Sequence, residues 1–201
     1  MDIEGTFTEA KSAADEGRAK DALGQLSALL RENVGYDPAH DLVFEIYHEP
    51  SQNLELIEFY RDLLKDKVDD PDLTIRLSRA YAQGGKDSLA VLQLQKILKK
   101  DSNPKAFAEL ARTYGRMNKI RMALEAINSA IAADPSYGFA HRERVRLLTA
   151  SGEKDEAAVH AVDSLACPQL DPDTRAWLET ADAFLEAGHN PPDRLMQNGK
   201  S

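Results

Sequence analysis

Residues 104–137 read PKAFAELARTYGRMNKIRMALEAINSAIAADPSY and contain two helical patterns in succession. The first places apolar residues on one stripe of a helix: Phe107, Leu110, Ala111 and Tyr114. After a break at residues 115–118, a second stripe is formed by Ala123, Ile127 and Ala130. Asp134 precedes a proline, and this position disfavours the helical conformation, so the second helix ends there. The stretch therefore predicts a helical hairpin, in which small residues let the two helix axes approach closely.

The same pattern repeats along the chain with a period close to 34 residues. Its clearest marker is the turn between the two helices, where five residues are separated by 34, 34, 33 and 34 positions. These turn residues are Gly17, Ser51, Gly85, Asn118 and Gly152. A fixed period of this length is typical of stacked helical hairpins, each of which cannot bury its apolar face alone.

The unit resembles the tetratricopeptide repeat, which combines an aromatic residue, leucine, a small residue and tyrosine with a later alanine and proline. The resemblance covers about residues 3 to 188. It implies an all-α, right-handed α-solenoid of about five helical hairpins followed by a C-terminal capping helix. The expected units are 3–36, 37–70, 71–103, 104–137 and 138–171, and the capping helix is expected at 172–188.

These units predict one repeat domain over residues 1–190 and a disordered tail over residues 191–201. The alternative for the C-terminal end is that a further element would pack against the last helix. The second unit departs most from the pattern, because large residues stand where small ones are usual, and we expect wider packing there. These large residues are Leu56, Tyr60 and Leu63. Arg144 replaces a leucine of the stripe, so we expect a frayed interface in the fifth unit.

The composition is that of an ordinary soluble chain, with 42% hydrophobic and 29% charged residues. No apolar run is long enough to span a membrane, and the first residues lack the features of a signal peptide. We therefore expect a cytoplasmic protein, linked to a membrane only through a partner or a removed anchor. One cysteine and five scattered histidines give no metal-ligand spacing, so neither a metal nor a cofactor is expected.

Charge is distributed unevenly along the chain. Residues 1–70 contain 7 Lys/Arg against 17 Asp/Glu, a net charge of −10. Residues 71–150 contain 14 against 7, a net charge of +7, and residues 151–201 contain 4 against 10, a net charge of −6. A chain with a net charge of −9 therefore has a basic middle.

Three arginines occupy the same column of consecutive units, 33 and 34 residues apart: Arg79, Arg112 and Arg146. Each lies two residues before a large residue of the packing stripe, about 200° around the helix. In tetratricopeptide arrays, this side of the first helix lines the concave groove. Three further arginines lie one helical turn away and share that face: Arg76, Arg116 and Arg142. The equivalent face of the second unit is acidic, with Asp41, Glu45 and Glu49.

The arginine column predicts a groove that binds an acidic peptide or protein segment, because guanidinium groups make bidentate bonds to carboxylates. The chain would then be a protein–protein interaction module, such as an adaptor, scaffold or assembly factor. One alternative is a solvated face balanced by Glu109 and Glu143 on nearby turns. Another is a self-assembling scaffold, because acidic ends and a basic middle are complementary between copies and favour homo-oligomers.

Catalysis and nucleic-acid binding are both disfavoured by the sequence. No Gly-rich phosphate loop, GxSxG or HExxH motif occurs, and no basic activating site is apparent around Cys167, so we expect no enzyme. The basic middle alone supports binding to nucleic acid or another anionic polymer, and the acidic flanks would repel phosphate. His40 and His141 fall in matching columns of different units and are predicted to be structural.

Overall fold

The computed structural model describes residues 2–186. Within that range the chain contains eleven α-helices, one short 3₁₀ helix and no strand. The chain divides into two compact units, Met1–Ile97 and Leu98–Ser201. We call these the first unit and the second unit; each contains several of the shorter predicted repeats. The all-α prediction is confirmed.

The first unit is built from consecutive helices joined by short turns. These are α1 (Ile3–Asp15), α2 (Ala19–Glu32), α3 (Asp37–Ile46), α4 (Asn53–Asp66), α5 (Pro71–Gln83) and α6 (Asp87–Leu98), with the 3₁₀ helix Pro50–Gln52 before α4. Its core consists of residues that recur at helical spacing, and Leu26, Leu56 and Leu73 are fully buried. Burial of one stripe from each helix holds the unit together, because a single hairpin leaves its apolar face exposed.

The second unit has the same construction and ends in a single helix. Its helices are α7 (Pro104–Arg116), α8 (Ile120–Ala133), α9 (Gly138–Ser151), α10 (Lys154–Leu165) and α11 (Pro172–Glu186). The last helix packs on α10 and α9 and buries Trp177, Leu178 and Ala181. Residues 187–188 of the predicted capping helix and the predicted tail 191–201 lie outside the described residues, and the single domain over 1–190 stays a prediction.

Four of the five predicted turn positions have a left-handed backbone. The φ angles are 77° at Gly17, 70° at Gly85, 57° at Asn118 and 87° at Gly152. In the first of these turns, Arg18 N donates to Ala13 O at 2.8 Å and Gly17 N donates to Ala14 O at 2.9 Å. Equivalent bonds close the other three turns, which satisfies the last carbonyls of each helix.

Acidic or amide side chains followed by proline begin several of the helices. The Asp70 carboxylate accepts from Leu73 N at 2.9 Å at the start of α5, and Asn103 Oδ1 accepts from Ala106 N at 3.0 Å at the start of α7. Asp171 accepts from the backbone of α11 in the same way. The side chain satisfies an unpaired N–H group, and proline fits the first helical position because it has none.

The second hairpin is the exception to the repeat pattern. Ser51 lies within the 3₁₀ helix and has no left-handed backbone. The large residues at Leu56, Tyr60 and Leu63 are nonetheless almost completely buried. Aromatic rings fill the space around Tyr60, with the Phe44 ring centroid at 5.5 Å. The irregular turn and the aromatic filling accommodate the large side chains that prompted the expectation of wider packing.

Candidate functional site

The predicted arginines of the second unit lie on α7 and α9. We call Arg112, Arg116, Arg142 and Arg146 the arginine face. The Arg112 guanidinium carbon lies 5.6 Å from the centroid of the Phe139 ring on α9, a cation–π distance. Arg112 also donates to Glu109 Oε2, one turn earlier on α7, at 3.4 Å. A ring and a carboxylate thus hold this guanidinium from two sides.

Arg146 is held more firmly by a single partner. Its Nε and one terminal nitrogen donate to the two carboxylate oxygens of Glu143 at 2.9 and 2.5 Å. The hydrogen bonds to Glu143 raise the pKa of Arg146, although burial opposes them. The Glu143 side chain is 7% exposed and the Arg146 side chain 36% exposed, so the carboxylate lies beneath the guanidinium.

The same arrangement of exposures occurs at Arg112. Its side chain is 39% exposed, whereas its partner Glu109 is 14% exposed. Both glutamates therefore anchor arginines from below. The two carboxylates balance the charges of Arg112 and Arg146 locally, as the alternative of a charge-balanced face requires. Both glutamates were identified from the sequence as neighbours of the arginines. The sequence alone could not show which member of each ion pair faces solvent.

The other two arginines of this face differ in exposure. Arg116 is exposed near the end of α7, and Arg142 is half buried on α9. Burial raises the pKa of Asp171, but hydrogen bonds from Thr174 and the Arg142 charge outweigh it, and the pKa is lowered. Arg142 therefore acts on the carboxylate that caps α11.

In the first unit, the two predicted arginines lie on α5. The Arg79 guanidinium carbon lies 4.7 Å from the centroid of the Phe44 ring on α3. Arg76 donates to Asp37, and its side chain is only 18% exposed. Elsewhere on α3 and in the turn that follows it, the predicted acidic residues are all exposed: Asp41, Glu45 and Glu49.

A buried polar network in the second unit was not predicted from the sequence. Arg144 donates to His160 Nδ1 at 2.8 Å, which leaves the His160 proton on Nε2, 3.3 Å from Ser164 Oγ. His141 Nδ1 lies 2.8 Å from the same hydroxyl, and His141 Nε2 lies 2.9 Å from the Pro135 carbonyl oxygen and donates to it.

Burial, assisted by the charge of Arg144 and then by His141, lowers the pKa of His160 to about 3. Both histidines are therefore packing residues, as predicted for His141. Arg144 is bonded inside this interface, and the fraying expected there stays a prediction. Its guanidinium finds a neutral imidazole acceptor inside the hairpin. The spacing of His160 and Ser164, one helical turn apart, was the only local signal of the network.

His40 occupies the corresponding place in the first unit. It is 1% exposed, and its Nε2 lies 2.7 Å from the Val34 carbonyl oxygen. Its Nδ1 lies 3.2 Å from the Tyr60 hydroxyl. Each histidine therefore ties a first helix to the preceding loop and to its partner helix, which confirms the structural role predicted for both.

Within residues 2–186, no group of three or more His, Cys, Asp and Glu side chains is arranged to hold a metal ion. No helix in this part of the chain is both long and apolar enough to cross a membrane.

Comparison with known proteins identifies the repeat. Residues 109–173 match the sequence model of the tetratricopeptide repeat family. No curated protein sequence matches the chain.

Several solved structures share the fold. The thermophilic TPR protein TTC0263 of Thermus thermophilus is 16% identical, with a TM-score of 0.61 over 88% of this chain and 97% of that one. PilW, a widely conserved type IV pilus biogenesis factor, is 14% identical, with a TM-score of 0.59 over 92% and 86%. YrrB, a TPR protein with an unusual peptide-binding site, is 13% identical, with a TM-score of 0.51 over 87% and 90%. At these identities the likeness shows the fold.

Proposed function

We propose that the chain, which matches the tetratricopeptide repeat model over residues 109–173 and shares the fold of such proteins, is a protein–protein interaction module that binds an acidic peptide or protein segment. Stacked helical hairpins offer extended surfaces to partners, and YrrB, which shares the fold, has a peptide-binding site. The observation that carries the proposal is the arginine face of the second unit, where Arg112 and Arg146 are half exposed above glutamates that are much less exposed.

The ion pairs leave hydrogen-bonding capacity for a ligand. A guanidinium has five N–H donors, and Arg146 uses its Nε and one terminal nitrogen for Glu143. Arg112 uses one terminal nitrogen for Glu109. The remaining donors of both side chains can bind a carboxylate of an acidic segment by charge-assisted hydrogen bonds.

Charge on the face also favours an acidic ligand. The guanidinium groups of Arg112 and Arg146 are more exposed than the glutamates that anchor them, so the positive member of each ion pair faces solvent. Phe139, half buried beside Arg112, adds apolar surface for the aliphatic part of a bound segment. We propose Arg76 and Arg79 as contacts for an acidic segment within the first unit.

The test compares two arginines of the same unit. Binding of a fluorescein-labelled acidic peptide is measured by anisotropy for the wild type, Arg112→Gln and Arg121→Gln. Arg121 is exposed at the start of α8, so its substitution removes the same charge away from the arginine face. We expect Arg112→Gln to weaken binding about tenfold, since it removes a charged hydrogen bond, and Arg121→Gln to change it less than about twofold.

The thermal unfolding curve followed by far-UV circular dichroism should be nearly the same for both variants, because a glutamine amide can still donate to Glu109 and the Arg121 side chain is exposed. Equal dissociation constants for the two variants would show that the arginine face does not bind the peptide.

The alternative proposal is self-assembly. It is supported by the charge distribution, in which residues 1–70 carry −10 and residues 71–150 carry +7. Light scattering coupled to size-exclusion chromatography at increasing salt tests it, because screening weakens contacts between exposed charges. A particle mass that stays constant over the salt series would exclude electrostatic self-association.

A further inference from the structure

A pocket in the first unit lies outside the arginine face. It has a volume of about 690 Å³ and lies beside α4, at the C-terminal end of α3. Its lining residues are Tyr47, Glu55, Glu58, Phe59, Arg61, Asp62 and Lys65. All of them belong to one unit, so the pocket is complete within the second helical hairpin.

Two aromatic rings form the apolar part of this pocket. The ring centroids of Tyr47 and Phe59 are 6.4 Å apart at an interplanar angle of 62°. Phe59 also packs edge-on against Tyr60, with ring centroids 5.5 Å apart, and Tyr60 is fully buried. The buried ring fixes the position of Phe59, while Tyr47 and Phe59 remain half exposed.

The charges of the pocket are separated along α4. Asp62 binds Arg31 at 2.6 Å and Lys65 at 3.0 Å, so its charge is compensated at the C-terminal end of the helix. Glu55 and Glu58 lie near the other end, and both are exposed. Burial raises the pKa of the Tyr47 phenol, and these two carboxylates raise it further. Arg61 also lines the pocket and is exposed. At the end of the pocket next to the Tyr47 ring, the two carboxylates outnumber this single cation, so the local charge is negative.

We propose that this end of the pocket binds an arginine or lysine side chain of a basic protein segment. Its aromatic faces attract a cation through the ring quadrupole, and Glu55 and Glu58 accept its hydrogen bonds. An acidic segment would be repelled by the same two carboxylates. The site is thus opposite in charge preference to the arginine face, and its occupant does not depend on the function proposed above.

The first experiment separates the pocket from the general acidity of the first unit. Anisotropy of a fluorescein-labelled hexa-arginine peptide is measured for the wild type and two double variants. Glu55→Gln with Glu58→Gln removes the charges of the pocket. Asp41→Asn with Glu45→Gln removes the same number of charges from exposed positions of α3 that do not line the pocket.

We expect the pocket variant to weaken binding by about fivefold to tenfold and the α3 variant by less than about twofold, in line with the contribution of close ion pairs to a cation on aromatic rings. Equal weakening by the two variants would mean attraction to an acidic surface in general and would overturn the proposal. So would the absence of wild-type binding.

A third variant tests the aromatic contribution. Tyr47→Leu keeps an apolar side chain and removes the ring, so binding should weaken about threefold to fivefold while the far-UV spectrum is unchanged. Unchanged affinity in this variant would contradict the cation–π part of the site. If Tyr47→Leu does not fold, the two charge variants decide the matter, because the side chains that they change are exposed.

Discussion

Lowering the pH from 7.5 to 5.0 should destabilise the first unit through His40. This histidine is 1% exposed, and its Nε2 lies 2.7 Å from the Val34 carbonyl oxygen. A carbonyl oxygen can only accept, so the proton of the neutral ring is on Nε2. The other nitrogen, Nδ1, then accepts from the Tyr60 hydroxyl at 3.2 Å. The folded state therefore contains a neutral, fully hydrogen-bonded imidazole.

The size of the effect follows from the pKa difference between the folded and unfolded states. Burial, with a smaller contribution from the Arg76 charge, lowers the pKa of His40 from 6.5 to about 4, against the hydrogen bond to Val34. His40 in the unfolded chain thus binds a proton near pH 6.5, whereas His40 in the folded chain stays neutral until the pH approaches 4. Stability is fully present above pH 6.5 and is lost as the pH falls toward 4. Linkage gives a loss of about 2 kcal/mol at pH 5.0.

Urea unfolding followed by far-UV circular dichroism at pH 7.5 and 5.0 measures this loss. His40→Gln cannot titrate, and its amide can still donate to the Val34 carbonyl. We expect the decrease in unfolding free energy between the two pH values to be about 2 kcal/mol smaller in this variant than in the wild type. His48→Gln is the control, because the His48 side chain is 69% exposed, and this variant should behave like the wild type.

Hydrogen exchange locates the effect. Peptides from residues 37–66 should lose protection at pH 5.0, after correction for the intrinsic exchange rate, in the wild type and much less in His40→Gln. If both proteins lose the same free energy on acidification, His40 is not the group that titrates, and the reasoning from its burial is refuted.

Three further predictions concern stability and are tested by urea unfolding, followed by far-UV circular dichroism for the first unit and by the fluorescence of Trp177, the only tryptophan, for the second. Gly138→Ala should cost about 1–3 kcal/mol because its Cβ would lie 2.2 Å from a side-chain oxygen of α11, whereas Gly24→Ala, with open space around it, should stabilise α2 by up to about 1 kcal/mol. Asn118→Ala should cost about 1 kcal/mol because φ is 57° there, and Asn118→Gly should not. Ser164→Ala should cost about 1–3 kcal/mol because it removes a buried hydroxyl that donates to the His160 carbonyl oxygen and lies 2.8 Å from His141 Nδ1.

The repeat turns could be predicted from the sequence because their cause is local. Glycine and asparagine tolerate the left-handed conformation, and four positions with these residues adopt it. Ser51 occupies the same position of the repeat, but serine does not tolerate the left-handed conformation as readily. With Pro50 before it, the chain forms a 3₁₀ turn instead. A periodic column thus predicts a turn geometry only where the residue itself favours that geometry.

The buried network of the second unit could not be predicted, because it depends on how two helices face each other. His160 and Ser164 share a face of α10 by their spacing alone. His141 and Arg144 reach them only at the register that α9 adopts. The sequence pattern gave Arg144 a place in an apolar column, and that place was correct. The pattern did not indicate that His160, across the hairpin, accepts a hydrogen bond from Arg144.

In the candidate site, too, the sequence pattern did not predict the side-chain partners, and these partners affect binding. The column predicted which face Arg112 and Arg146 occupy, but their rotamers are chosen by Glu109, Glu143 and the Phe139 ring. These partners remove net charge from the face, which weakens its long-range attraction for an acidic segment. They also restrict two long side chains before any ligand arrives, which lowers the entropy cost of binding. The proposed recognition therefore depends less on the number of arginines than on how their carboxylate and aromatic partners orient them.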